Sequence, residues 1–171
     1  MFQDAFVIRE GRSYDIDAMV GLLRQLFTIE DDFTFNDRKH RHGCAALMAD
    51  HTHGAIRVAE VNNRVVGMCT AQINVSTAEG GLSALVEDLI VDVPYRRRGI
   101  GASLLSSIRR WALDHNCVRM QLLADRRNDH ALEFYRKAGW KTTNMICLQK
   151  KIHEDFTPIP SQRHQTISVR R

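Results

Sequence analysis

Leu89-Ile90-Val91-Asp92-Val93-Pro94-Tyr95-Arg96-Arg97-Arg98-Gly99-Ile100-Gly101-Ala102-Ser103-Leu104-Leu105 is the stretch on which the fold turns. An apolar run ends at Val93, a basic and glycine-bearing turn follows, and helical periodicity begins near Ile100. The pattern predicts a strand, a tight turn and a helix. At such a helix start several backbone N–H groups point outward, and partial positive charge collects there. Gly99 and Gly101 have no side chain, so a phosphate can approach the backbone closely. Arg96, Arg97 and Arg98 add charge-assisted donors around it. Taken alone, the segment also fits a plain strand-to-helix turn with a solvated arginine cluster. It does not fit a dinucleotide fingerprint or a P-loop, because it lacks the third glycine and any Gly-Lys-Ser/Thr.

Upstream, Ala84–Val93 is almost continuously apolar apart from Glu87, Asp88 and Asp92, as in a strand from the middle of a sheet. Ala55–Val61 and Val65–Val75 flank Asn62-Asn63-Arg64, a hairpin signal because asparagine tolerates positive φ. Ala5–Arg9 reads as a short first strand. Tyr14–Phe27 places Ile16, Met19, Val20, Leu23, Leu26 and Phe27 at helical spacing, with Ser13 as the expected N-cap. A second helix is expected from Arg38 to about Asp50, capped by Asp37. Downstream, the helix after the glycine turn runs to about Asn116 with Leu104, Leu105, Ile108, Trp111 and Ala112 inward. Val118–Ala124 is a strand, Asn128–Ala138 a helix, and Thr142–Lys150 a last strand expected to close the sheet. The order β-α-α-β-β-β-α-β-α-β describes a mixed α/β domain with one sheet over residues 1–152. Residues 153–171 read as a tail, expected to pack on a neighbouring subunit.

Length and composition agree with one ordinary domain. The chain has 171 residues, 44% hydrophobic and 26% charged, which argues against disordered and fibrous classes. No apolar run approaches the roughly 20 residues that span a bilayer. Met1-Phe2-Gln3-Asp4 lacks the features of a signal peptide, so a cytoplasmic protein is expected, with no membrane partner. Cys44, Cys69, Cys117 and Cys147 are scattered without a Cys-x-x-Cys pair, as small buried residues usually are. His40, His42, His51 and His53 flank one short helix with no carboxylate pattern, so no metal is expected. The net charge of +4 is mostly Arg163, Arg170 and Arg171, in a stretch with no acid, which argues against a nucleic-acid partner. Within the body, residues 1–37 hold eight acids and three bases, whereas residues 96–141 hold eleven bases and four acids. One acidic and one basic end suit a cation and a polyanion respectively.

A second segment carries chemistry: Asn128-Asp129-His130-Ala131-Leu132-Glu133-Phe134-Tyr135-Arg136-Lys137-Ala138-Gly139-Trp140. Tyr135 follows Asn128 by two helical turns on one face. By itself this is equally an N-capping asparagine and a packed aromatic pair. Together, however, the two segments resemble the GNAT superfamily of N-acetyltransferases. Arg96-Arg97-Arg98-Gly99-Ile100-Gly101 is similar to that family's Arg/Gln-x-x-Gly-x-Gly/Ala turn. Asn128, Ala131, Phe134, Tyr135, Gly139 and Trp140 match its Asn-x-x-Ala-x-x-Phe-Tyr-x-x-x-Gly-Phe/Trp helix.

The resemblance covers roughly residues 5–150 and implies the acyl-CoA N-acyltransferase fold. That fold is a single central, mostly antiparallel sheet flanked by helices, with a splayed parallel pair of strands, here Ala84–Val93 and Val118–Ala124. It implies acetyl-CoA as cosubstrate in the opening between them. Leu89, Ile90 and Val91 would pair with the pantetheine arm. Arg98, Gly99, Ile100, Gly101, Ala102 and Ser103 would cradle the pyrophosphate, with Arg96 and Arg97 nearby. Asn128 would hold the cofactor arm, and Tyr135 would protonate the leaving thiolate. Strand alternation places Glu87 and Asp88 on opposite faces. Glu87 is the expected general base, directly or through a water, and Asp88 the reserve, placed with the acceptor site.

By the same resemblance the acceptor lies against the first two helices and the Thr77–Ser83 loop. Glu30, Asp31 and Asp32 beside Phe33 and Phe35 suit a cationic amine there, or form a solvated connector. The expected activity is transfer of acetyl to a primary amine of a small molecule by direct attack, in a homodimer. Acetylation of a protein lysine or N-terminus, and a non-catalytic acyl-CoA-binding module, are the alternatives.

Overall fold

The computed structural model describes residues 5–29 and 33–152. Five strands and four helices follow one another along the described chain. They are β1 (Val7–Glu10), α1 (Ile16–Leu26), α2 (Asp37–Ala49), β2 (Gly54–Val61), β3 (Arg64–Ser76), β4 (Gly81–Val91), α3 (Ile100–Asp114), β5 (Cys117–Leu122) and α4 (Asp129–Lys137). The strands lie in sequence order, β1-β2-β3-β4-β5, in one sheet. All neighbours are antiparallel except β4 and β5, which run parallel because α3 carries the chain back across the sheet.

The sheet divides two apolar layers. On one face, α3 sets Ile100, Leu104, Leu105, Ile108, Trp111 and Ala112 against Ala59, Val66, Ala84 and Val86. On the other, Met19, Leu22, Leu23 and Leu26 of α1 and Cys44 of α2 cover Ile56, Val58, Met68 and Ile90. The inward residues expected of α3 are these; of those expected in α1, Met19, Val20, Leu23 and Leu26 are buried and Ile16 and Phe27 only partly so, while Leu22 is buried although the periodicity did not include it. The β2–β3 hairpin turns on Asn62 and Asn63, both at positive φ (47° and 61°), as a tight two-residue turn requires.

Several local expectations are corrected. The first helix starts at Ile16, after a 3-10 turn at Ser13–Asp15, and Ser13 does not cap it. Instead the Asp15 carboxylate turns back, accepts the Arg12 backbone N–H at 2.8 Å, and receives both terminal nitrogens of Arg9 at 2.6 and 2.9 Å. Glu60 accepts from the same guanidinium, which ties β1, β2 and the start of α1 together. Asn36, one residue before the expected Asp37, caps α2 by accepting the Lys39 N–H. β4 begins at Gly81, three residues before the expected Ala84.

The largest correction is at the C-terminal side. Thr142–Lys150 forms no strand, and the described sheet ends at β5. A strand exists only through a ladder partner, and β-forming composition alone does not supply one. The expected tail from residue 153 onward lies outside the described residues.

Candidate active site

β4 and β5 pair only from Leu82↔Cys117 to Val86↔Leu122, although β4 continues to Val91. Beyond Val86 the parallel pair has parted. Glu87–Val91 therefore face an opening on that side, with main-chain groups that a strand-like ligand can pair with. Leu89, Ile90 and Val91 all lie on this free stretch.

At the end of β4 the chain enters a 3-10 turn at Val93–Tyr95 and then the glycine turn. Arg97 has φ 60° and Gly99 φ 80°. Two left-handed residues within three positions turn successive N–H groups toward one side, a conformation that binds anions. Space beside Gly99 is open, since a Cβ there would meet nothing within 4 Å. Gly101 is different: a Cβ would lie 3.4 Å from Phe134, so α3 and α4 come close at this point. The two sequence motifs are therefore in contact.

The arginines divide the work. Arg96 donates from Nε to the Val91 carbonyl at 2.8 Å, and Arg98 donates to the Pro94 carbonyl at 2.9 Å while lying over the Tyr95 ring. Both brace the turn. Arg97 is exposed and makes no such contact among the described residues. It is also the non-glycine residue held in the left-handed region here, at a cost on the order of 1 kcal/mol. Ile100 is buried, and Ala102 and Ser103 belong to the first turn of α3.

Asn128 caps α4, its Oδ1 accepting the Ala131 N–H at 3.1 Å. That bond uses the oxygen only and leaves the amide nitrogen with donors for a ligand. Tyr135 lies one face along, its ring 5.3 Å from Phe134 and 6.1 Å from Trp140 between centroids. All three rings pack against the α3-side core.

The carboxylates depart from expectation. Ala71 pairs with Val86 and Cys69 with Leu89, so Glu87 and Asp88 together oppose Thr70 in a β-bulge. The extra residue breaks the alternation. Gln72 donates to Glu87 at 2.9 Å and Thr70 to Asp88 at 2.9 Å, and Thr70 and Gln72 share one face of β3. Glu87 and Asp88 therefore share the α1–α2 face, in place of the opposite faces that simple alternation predicts.

Their environments differ. Glu87 is exposed, whereas Asp88 is partly covered, with its carboxylate withdrawn from water. Desolvation pushes the Asp88 pKa up to about 6; the Thr70 hydrogen bond opposes this and the nearby Glu87 charge adds to it. Cys44 on α2 and Cys69 on β3 feel the Asp88 charge, and burial before that charge raises both thiols.

Toward the acceptor side, the end of α1 and the start of α2 carry an aromatic cluster. Phe27 stacks on His40 at 4.7 Å and meets Phe33 at 5.7 Å, and His40 meets Phe35 at 4.9 Å. Arg24 lies 4.2 Å over the Phe35 ring, so a cation already occupies that face. Burial lowers the His40 pKa and favours the neutral ring. Glu30 and Asp31, expected at this site with Asp32, lie outside the described residues. Sequence reasoning did not find Thr70, whose part depends on the bulge register.

A five-stranded mixed sheet with a parted parallel pair, a left-handed glycine turn at its mouth and a carboxylate pair on one face defines the fold class of the acetyltransferases. The profile of the acetyltransferase (GNAT) family matches residues 18–140. The chain belongs to that family. It is 23% identical over 142 residues to an uncharacterized N-acetyltransferase of Methanocaldococcus jannaschii, covering 82% of this chain and 63% of that one. The chain thus spans less than two thirds of that relative. It is 23% identical over 147 residues to aminoglycoside N(6')-acetyltransferase type 1 of Salmonella typhimurium, covering 84% and 97%. Among solved structures, aminoglycoside N-acetyltransferase AAC(6')-Iy in complex with CoA superposes with a TM-score of 0.77 at 19% identity, covering 89% of this chain and 98% of that one.

Proposed function

We propose that this chain transfers the acetyl group of acetyl-CoA to a primary amine of a small molecule. The observation that carries the proposal is the opening of β4 from β5 beyond Val86, directly beside the left-handed turn at Arg97 and Gly99. The relative of similar length named above is an aminoglycoside acetyltransferase, which supports a small-molecule acceptor.

In this proposal Leu89, Ile90 and Val91 pair with the pantetheine arm, and the amides of Arg98–Ser103 hold the pyrophosphate with Arg97 beside it. Asn128 donates to the arm. Asp88 takes a proton from the acceptor ammonium, directly or through a water, with the exposed Glu87 drawing the cation in. The neutral amine attacks the thioester carbonyl, a C–N bond forms, the attacking nitrogen gives up its second proton to solvent, and the C–S bond breaks. Tyr135 gives its proton to the departing thiolate and is restored by solvent. We assign the base to Asp88 ahead of the exposed Glu87 because desolvation pushes the Asp88 pKa up to about 6, where a carboxylate can exchange a proton near neutrality.

The test is thermal unfolding with acetyl-CoA, with NADH and ATP as controls, followed by an amine panel assayed for free thiol release. A saturable rise specific to acetyl-CoA and turnover on one or more amines are expected. No shift at millimolar acetyl-CoA overturns the proposal. Arg97→Ala is expected to weaken acetyl-CoA about 10-fold, the worth of one charged hydrogen bond, and to do so less at high salt. An unchanged Kd removes Arg97 from the site.

We also propose a cytoplasmic homodimer. Among the described residues, no helix is long and apolar enough to cross a membrane. The four cysteines are free thiols, which fits a reducing compartment. Met145, Ile146, Leu148 and Ile152 are 79–88% exposed on a segment with no strand partner, and a second copy would cover them. Sedimentation at micromolar concentration is expected to give a dimer that Ile146→Asp weakens at least 10-fold. A monomer overturns it.

A further inference from the structure

The bulge in β4 brings the backbone and the side chain of Asp88 to the same group on β3. The Thr70 hydroxyl donates to Asp88 Oδ2 at 2.9 Å and accepts the Asp88 backbone N–H at 3.0 Å. Thr70 is 3% exposed, and a polar group left unpaired at this depth is costly. A hydroxyl has one proton and two lone pairs, so both bonds form at once. Because two residues of β4 face one of β3 here, the Asp88 N–H is served by this side chain in place of a ladder carbonyl.

We propose that Thr70 is the positioning residue for the Asp88 carboxylate, its hydroxyl binding both that carboxylate and the Asp88 backbone N–H across the bulge and thereby fixing where the acceptor amine loses its proton. The proposal rests on Asp88 as the base. Thr70 itself touches neither substrate nor the reacting atoms. It acts through orientation, because one carboxylate oxygen is engaged and the other is left for the amine.

It also acts through charge. The hydrogen bond favours the ionised carboxylate, against the desolvation that disfavours it. The other titratable groups that act on Asp88 are Glu87 from its own strand, Cys69 from β3 and Cys44 from α2. The thiols stay neutral, so Glu87 is the remaining charge, and it pushes in the same direction as burial.

Thr70→Val keeps the shape and removes the hydroxyl. Two readouts are needed. Asp88 is titrated by carboxyl-carbon NMR, its signal assigned by its loss in Asp88→Asn, and the pH profile of kcat/KM is recorded on the amine found above. In Thr70→Val the Asp88 midpoint is expected to move up by about one pH unit, the acidic limb of the profile with it, and kcat to fall more than the acetyl-CoA KM rises. Thr70→Ser, which keeps both bonds, is expected to restore midpoint and limb, and Thr70→Ala, which also removes the hydroxyl, takes the place of the valine variant if that one does not fold. An Asp88 midpoint unmoved in Thr70→Val, or not restored by Thr70→Ser, overturns the proposal while leaving Asp88 as base. An acidic limb and kcat unchanged in Asp88→Asn overturn the assignment of the base, and the role of Thr70 in the reaction with it.

Discussion

Asp88→Asn lowers kcat/KM for amine acetylation by about 10²–10⁴, the range in which a positioned general base contributes, and removes the acidic limb of the pH profile. The amide keeps the volume and accepts the Thr70 hydroxyl, so the bulge survives. Below pH 6 the wild-type carboxyl is itself protonated and the two proteins converge, which separates loss of a base from loss of structure. Glu87→Gln is the control: its exposed carboxylate helps gather a cation, so KM for the amine rises while kcat is largely kept. The reverse ranking of the two variants, measured as initial rates from pH 5 to 9, transfers the role of base to Glu87.

The same substitution changes stability, and the sign follows from linkage. The folded pKa of Asp88, about 6, lies above the ordinary carboxyl value, so the folded state holds the extra proton between about pH 4 and 6. Stability therefore falls as pH rises through that window, and above it the full cost of a buried charge is present. Asp88→Asn is expected to raise stability at pH 8 by up to about 3 kcal/mol, and Tm with it, and to leave both unchanged below pH 4. An active-site group that destabilises the fold yet stays charged at neutral pH suits a base.

Arg9→Leu has the largest expected effect on stability. Arg9 bridges Asp15, whose side chain is 4% exposed, and Glu60 across β1 and β2. Without the guanidinium the buried Asp15 carboxylate loses its partner and is left beside the partly exposed Glu60, at a cost of about 3 kcal/mol. Against a total stability of roughly 5–15 kcal/mol, Tm falls by on the order of 10 °C. Burial by itself raises the Asp15 pKa, but the hydrogen bonds from Arg9 and from the Arg12 N–H outweigh it and hold the carboxyl low. The contribution is therefore present above the unfolded value, about pH 4, and is lost as pH falls through the folded one. The difference between variant and wild type must shrink in acid. Arg9→Leu combined with Asp15→Leu and Glu60→Leu is expected to recover most of the loss, because the charges are removed together. A Tm unchanged by Arg9→Leu alone overturns the account.

Much of this molecule was legible in the chain. The apolar run before Pro94, the Gly99 and Gly101 turn and the α3 periodicity are local requirements of backbone and burial, and each is found, with β4 displaced to Gly81–Val91 and α3 ending at Asp114. Asn62-Asn63 likewise names its own turn, since few residues accept two positive φ angles in succession. The motif residues of α4 pointed to the family before the contact between Gly101 and Phe134 could be seen. The failures have one origin. Thr142–Lys150 has a strand's composition without a ladder, and Ser13 looked like a cap because the distant claim of Arg9 on Asp15 is invisible along the chain.

The order of elements from β1 to α4, the glycine turn between β4 and α3 and the acetyltransferase family follow from the sequence by itself, because they depend on neighbours a few residues apart. The tertiary structure alone decided that Glu87 and Asp88 share a face, that Thr70 grips Asp88, and that Arg9 joins two strands to a helix. Each of these depends on the register between strands or on contacts across the fold. Side chains alternate only while pairing is regular, and one extra residue in β4 moves a carboxylate to the other side of the sheet.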